Sequence, residues 1–176
     1  RHAPLPALRR LGMRAFWITA AVTLVADQLS KAWVVHGLDL KTLGQIKVLP
    51  GLVEFRMAWN RGVNFGLGSA SASDLMRWGL IGLALVISLG VIWWLYRERL
   101  GARGQIFAGL LVGGAIGNVI DRVLYGAVAD FLNVTCCGIH NPWSFNIADI
   151  GVFVGAIGLA LFPGPPGGGQ APQKTP

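Results

Sequence analysis

The segment Trp78–Tyr96, WGLIGLALVISLGVIWWLY, runs its whole length without a charged side chain. About twenty apolar residues carry an α-helix across the roughly 30 Å hydrocarbon core of a bilayer. Inside hydrocarbon only a helix or a closed barrel satisfies its own backbone. That one segment excludes most soluble architectures. Three further apolar runs follow the same logic: AFWITAAVTLVADQLSKAWVV at 15–35, IFAGLLVGGAIGNVIDRVLY at 106–125, and a shorter run at 147–162 that FPGPPGGG brings to an end. The predicted fold class is a membrane all-α protein with a small β element. It has four transmembrane helices in a single domain covering 15–162, with outer loops at 36–77 and 126–146. Residues 1–14 form a basic N-terminus, and the Pro/Gly-rich residues 163–176 read as a disordered tail. The fourth run is short and is expected to borrow length from its flanks. The first is too long for a simple signal-peptide core and ends in no small-residue cleavage site, so a cleavable leader is not expected.

Charge is scarce and placed. Only 13% of residues are charged, against about 25% in soluble proteins. The net charge is +7, which by itself suggests nucleic acid, but the basic residues gather at the ends of apolar runs and no nucleic acid partner is expected. Arg9, Arg10 and Arg14 precede the first run, and Arg97, Arg99 and Arg103 fill the turn between the second and third. Residues 123–148 contain no Lys or Arg. Both termini are therefore predicted to be cytoplasmic. Lys41, Lys47, Arg56 and Arg61 in the 36–77 loop run against this contrast, but long folded loops are poor witnesses to it.

The 36–77 loop has a pattern of its own. LVEFRMAWN alternates Val53, Phe55, Met57 and Trp59 with polar or small residues, a period of two that predicts a strand with one apolar face. QIKV at 45–48 is placed to pair with it across Pro50-Gly51, giving an extracytoplasmic β-cradle from the first outer loop. Ser73 is a candidate N-cap for the second span.

Of eight acids, Asp27, Asp121, Asp130 and Asp149 lie in or beside spans, where each is costly unless paired or wetted. On the predicted topology all four fall toward outer helix ends. Asp27 and Lys31 are four apart and form a candidate structural ion pair. Asn118, Asp121 and Arg122 share one helix face, and Asn146 precedes Asp149 by three. Asp121 and Asp130 are nine apart, on opposite sides of a continuous helix, so Gly126 is expected to end the helix between them. Asp130 then leaves on an extended segment, VADFLNV, and Asp149 is its nearest candidate partner. Two carboxyls held together in a partly apolar site share a proton, and such a pair can activate water and protonate a leaving amine. Peptide hydrolysis at the outer face is the expectation; two separately solvated acids are the bland alternative. The adjacent Cys136 and Cys137 form neither a disulfide framework nor a CxxC motif, and Cys137 with His140 lacks the further ligands a metal needs.

DQLSK (27–31), NRGVNFG (60–66), GGAIGNVIDRVLYGAVADF (113–131) and FNIADIGV (145–152) occur in this order. In these blocks the chain resembles the bacterial lipoprotein signal peptidases, or type II signal peptidases, over most of residues 20–160. The resemblance implies an intramembrane aspartic endopeptidase that removes the signal peptide of diacylglyceryl-modified prolipoproteins just before the lipidated cysteine. It implies a multi-pass inner-membrane protein with its site at the periplasmic face, no cofactor and no metal. The implied partners are lipid-modified prolipoproteins and membrane lipid, with the enzyme acting as a monomer. It carries the catalytic pair onto Asp130 and Asp149, and substrate-binding or supporting roles onto Asn60, Asn118, Asp121, Arg122 and Asn146. Asp27 and Lys31 fall on a stabilising pair. Asn64, where the family has a small residue, and the vicinal Cys136–Cys137 depart from the pattern. A small acid-relay transporter and a non-catalytic lipoprotein-binding factor are the rival classes; acids confined to one membrane depth and only four spans count against the first.

Overall fold

A computed structural model describes residues 6–62, 70–135 and 141–162. Helix α1 (Pro6–Lys31) runs on into a π-helical segment (Ala32–Gly37) and is followed by the short α2 (Leu40–Leu43). Strands β1 (Gln45–Leu49) and β2 (Val53–Asn60) come next, then α3 (Ala70–Glu98) and α4 (Ala102–Tyr125). Strand β3 (Val128–Val134) and α5 (Ile147–Leu161) are the last of the described elements.

Three helical stretches, Arg14–Gly37, Asp74–Glu98 and Ala102–Tyr125, are long and apolar enough to cross a membrane. The expected fourth span is an apolar helix of 15 residues, about 22 Å at 1.5 Å per residue. The second helix begins by Ala70, so Ser73 lies inside it and is not the predicted N-cap.

Helix α4 is the centre of the bundle, and glycine makes that possible. A methyl group added at Gly109 would lie 2.7 Å from the Phe16 carbonyl oxygen, and at Gly113 2.5 Å from that of Ala20. On its other side, one at Gly114 would lie 2.3 Å from the Ala148 carbonyl oxygen. Small residues let backbones touch where hydrocarbon offers no hydrophobic drive. Helix α1 and helix α5 are thereby drawn against α4 within backbone contact. Helix α3 packs on α4 differently: Gly79, Gly82 and Gly90 have nothing within 4 Å of an added methyl. Phe16, Leu95, Leu100, Ala108, Leu111, Val112 and Leu159 form the buried core of the bundle.

The sheet is antiparallel in the order β1-β2-β3. The β1–β2 hairpin turns at Pro50-Gly51 as the sequence predicts, with Gly51 at φ 78°. Two expectations are corrected. The sheet is not built from the 36–77 loop alone, because β3 pairs with β2 along its length. Nor does β2 alternate cleanly: a register shift between Phe55 and Ala58 breaks the period, and Val53 to Ala58 are all half-buried. Phe55 and Met57 still pack with Ile46 and Leu132 on a second core of Val34, Leu40 and Phe131. That core fastens the sheet to the π-helical end of α1.

Gly126 ends α4. It sits at φ 75° and donates its N–H to the Arg122 carbonyl over 3.1 Å, a conformation that glycine adopts without a Cβ penalty. Asp130 therefore leaves the helix on a strand.

Candidate active site

Strand alternation aims Asp130 and Ala129 to opposite sides of β3. Asp130, 3% exposed, accepts hydrogen bonds from Asn60 Nδ2 (3.0 Å) and Asn146 Nδ2 (2.7 Å). Asp149 opens α5, where Asn146 is the N-cap. The Asn146 side chain accepts from the Asp149 N–H at 2.8 Å, and the Asp149 carboxylate accepts the Asn146 N–H at 3.3 Å. This reciprocal capping box satisfies orphan helix donors. Asn118 Nδ2 donates to the other Asp149 oxygen over 2.8 Å. Asn146 thus donates to both acids, its side chain to one and its backbone to the other.

Burial pushes the Asp130 carboxyl up to about 7, and the charge of Asp149 pushes the same way; the hydrogen bond from Asn60, the charge of Lys31 and the hydrogen bond from Asn146 oppose them. Desolvation and a like charge both disfavour the carboxylate. Asp130 therefore keeps its proton well above the ordinary carboxylate range.

Behind this pair lies a buried ionic unit. Lys31 Nζ is 2.7 Å from Asp27 and 2.7 Å from Asp121. The i,i+4 pair expected on α1 is present, but Lys31 serves two acids. Asp121 sits in this unit, 1% exposed. Gln28 Nε2 joins Asp27 and Asp121, donating over 3.1 Å to each. The two acids also reach forward. Asp27 accepts the backbone N–H of Ala148 (2.9 Å), and Asp121 accepts that of Ala129 (3.1 Å). Gly117 leaves the room for this: a methyl there would lie 2.7 Å from an Asp27 oxygen.

Asn118 belongs to both groups, accepting from Lys31 Nζ (3.3 Å) and from Asn146 Nδ2 (3.2 Å). Arg122 donates to the Asn118 carbonyl at 3.4 Å, feels the charges of Asp149, Asp130 and Asp121, and keeps a buried Nε without a partner. All nine predicted site residues thus fall in one connected region. The second acid on Lys31, the joining Gln28 and the double donation by Asn146 were not read from sequence. Spacing along one helix does not report contacts between helices. Among the described residues no His, Cys, Asp and Glu cluster is arranged to hold a metal ion. Asn64, Cys136, Cys137 and His140 lie outside the described residues.

A glycine-packed helical bundle with a small sheet at one end, and acids buried where they meet, is the architecture of this chain. Two solved structures described as bacterial membrane enzymes share its fold, at TM-scores of 0.65 and 0.69 with 25% and 24% identity, each over 83% of this chain and over 85% and 90% of their own. Residues 19–162 match the family described as Signal peptidase (SPase) II, and the chain belongs to that family. A lipoprotein signal peptidase of Caulobacter vibrioides is 41% identical over 159 residues, 90% of each chain. One of Methylorubrum extorquens is 40% identical over 152 residues, 84% of each.

Proposed function

We propose that this chain is an aspartic endopeptidase that cleaves diacylglyceryl-modified prolipoproteins just before the lipidated cysteine. Family membership makes it a protease of lipoprotein processing; the aspartic mechanism is our reading of the site. One observation carries it. Asn146 links Asp130 and Asp149 into one hydrogen-bonded unit, while burial and the neighbouring charge raise the Asp130 carboxyl to about 7.

In the proposed mechanism Asp149 acts as carboxylate and base. It takes a proton from water, and the hydroxide adds to the scissile carbonyl carbon. Asp130 gives its proton to the amine nitrogen as the C–N bond breaks, and a proton then passes between the acids to restore the pair. Arg122, with a spare buried donor, and Asn60 are placed to bind the substrate backbone or the developing oxyanion. The bundle, including the short α5, is read as crossing the inner membrane four times with both termini cytoplasmic and the site at the periplasmic face. A lipidated substrate would then meet the site without leaving the bilayer. Both acids and their donors come from one chain, so the monomer suffices.

The test is cleavage of a diacylglyceryl-modified prolipoprotein by the purified protein in detergent, followed by gel shift. Loss of cleavage in both Asp130→Asn and Asp149→Asn, with the fold intact, is expected. Cleavage surviving in either would overturn the pair and favour a different protease chemistry or a binding role.

A further inference from the structure

The two catalytic candidates are held in the same way. Each is preceded by an alanine whose backbone N–H is gripped by a buried acid: Ala129 by Asp121, and Ala148 by Asp27. Those two acids meet at one cation, Lys31. Ala148 lies in the first turn of α5, where helix N–H groups have no partner in their own helix. Asp27, on a different helix, supplies one. Asp121 does the corresponding service for β3.

We propose that Lys31 is a positioning residue for the reaction, neutralising Asp27 and Asp121 together so that they clamp Ala148 and Ala129 and thereby fix Asp149 and Asp130 relative to each other. The proposal rests on reading Asp130 and Asp149 as the catalytic pair. A purely structural ion pair would need Lys31 and one acid. It would not need both acids to spend further oxygen capacity on the residue before each candidate. Lys31 is 6% exposed, Asp27 is fully buried and Asp121 nearly so, and a buried unit of this kind is better evidence of geometric specificity than of stability. The consequence for chemistry is distance. Displacement of a reacting group by about 1 Å costs on the order of 100-fold in rate.

The experiment compares alanine with asparagine at the clamping acids, using full-length protein in detergent and a quenched fluorescent diacylglyceryl-modified prolipopeptide. Asp121→Ala removes the acceptor for Ala129; Asp121→Asn keeps an amide oxygen there. We expect kcat to fall about 100-fold in Asp121→Ala, with KM changed less than about threefold, and Asp121→Asn to recover at least about tenfold of the loss. Asp27→Ala and Asp27→Asn repeat the comparison on the Ala148 side. Circular dichroism and thermal melting establish the folded fraction. Lys31→Met should also move the alkaline limb of the pH profile upward, because the Lys31 charge no longer lowers Asp130. The other groups facing Asp130 are Asn60 on β2, Asn146 and Asp149 at α5, and Arg122 on α4; these are unchanged. If Lys31→Met does not fold, the paired substitutions at Asp27 and Asp121 decide, since each leaves Lys31 one acidic partner. Equal losses in the Ala and Asn variants at both positions, or unaltered kcat per folded molecule, would overturn the positioning role. Cleavage by Asp130→Asn in the same assay would instead overturn the catalytic pair itself.

Discussion

Asn146 donates its side-chain N–H to Asp130 over 2.7 Å from a position that also caps helix α5. One amide therefore couples the start of a helix to the protonation of a strand residue. Asn146→Ala should lose the cap, about 1 kcal/mol of stability, and should slow cleavage by about tenfold or more through disorder of both acids. Asn146→Ser, which keeps a capping oxygen but no amide donor, should regain the stability without the rate. Thermal melting and kcat on one lipopeptide substrate separate the two effects.

The pH profile follows from Asp130. The proposed mechanism requires its carboxyl protonated, and burial beside Asp149 holds that proton up to about 7. Activity should therefore decline as pH rises through about 7. Single-turnover rates across the neutral range measure this. A profile flat through that range would show that Asp130 is not the proton donor.

The same proton carries a stability consequence. Asp130 titrates near 3.8 when unfolded and near 7 when folded, so the folded state keeps a proton that the unfolded chain has released. Stability from this group falls as pH climbs between those values and is level above them. Asp130→Asn should abolish cleavage and yet melt higher than wild type at neutral pH, by about 1–2 kcal/mol. At pH 3, where the unfolded group has also regained most of its proton, the difference should shrink.

Helix packing predicts unequal tolerance of one substitution. Gly114→Ala places a methyl against the Ala148 carbonyl, cannot be relieved by a side-chain rotation, and should cost about 1–3 kcal/mol. It also moves the segment bearing Asp149, so kcat should drop with it. Gly90→Ala on α3 meets open space and should leave melting temperature and activity unharmed.

Much of this arrangement was legible in the residues. Apolar runs gave the helices, and the nine-residue gap around Gly126 separated Asp121 from Asp130. The turn at Pro50-Gly51 fixed the hairpin. What was not legible depends on which elements meet. Nothing local in VADFLNV says that it pairs with β2, and the bulge between Phe55 and Ala58 hides the alternation. Lys31 carries an i,i+4 partner in its own helix, which gives no hint of a second acid from α4. Ser73 looked like a cap because Ser and Asp commonly are, but α3 has already begun before it.

The capping of α5 by Asn146 also has a meaning in time. The chain emerges from the ribosome N-terminus first, so Lys31, Asp121 and Asp130 are made before Asp149 and its helix. A chain interrupted after β3 owns an acid but no partner for it, and Asp27 has no Ala148 to hold. On the proposed mechanism the pair of acids is incomplete until helix α5 has docked. Docking of α5 is then the activation step of the proposed mechanism.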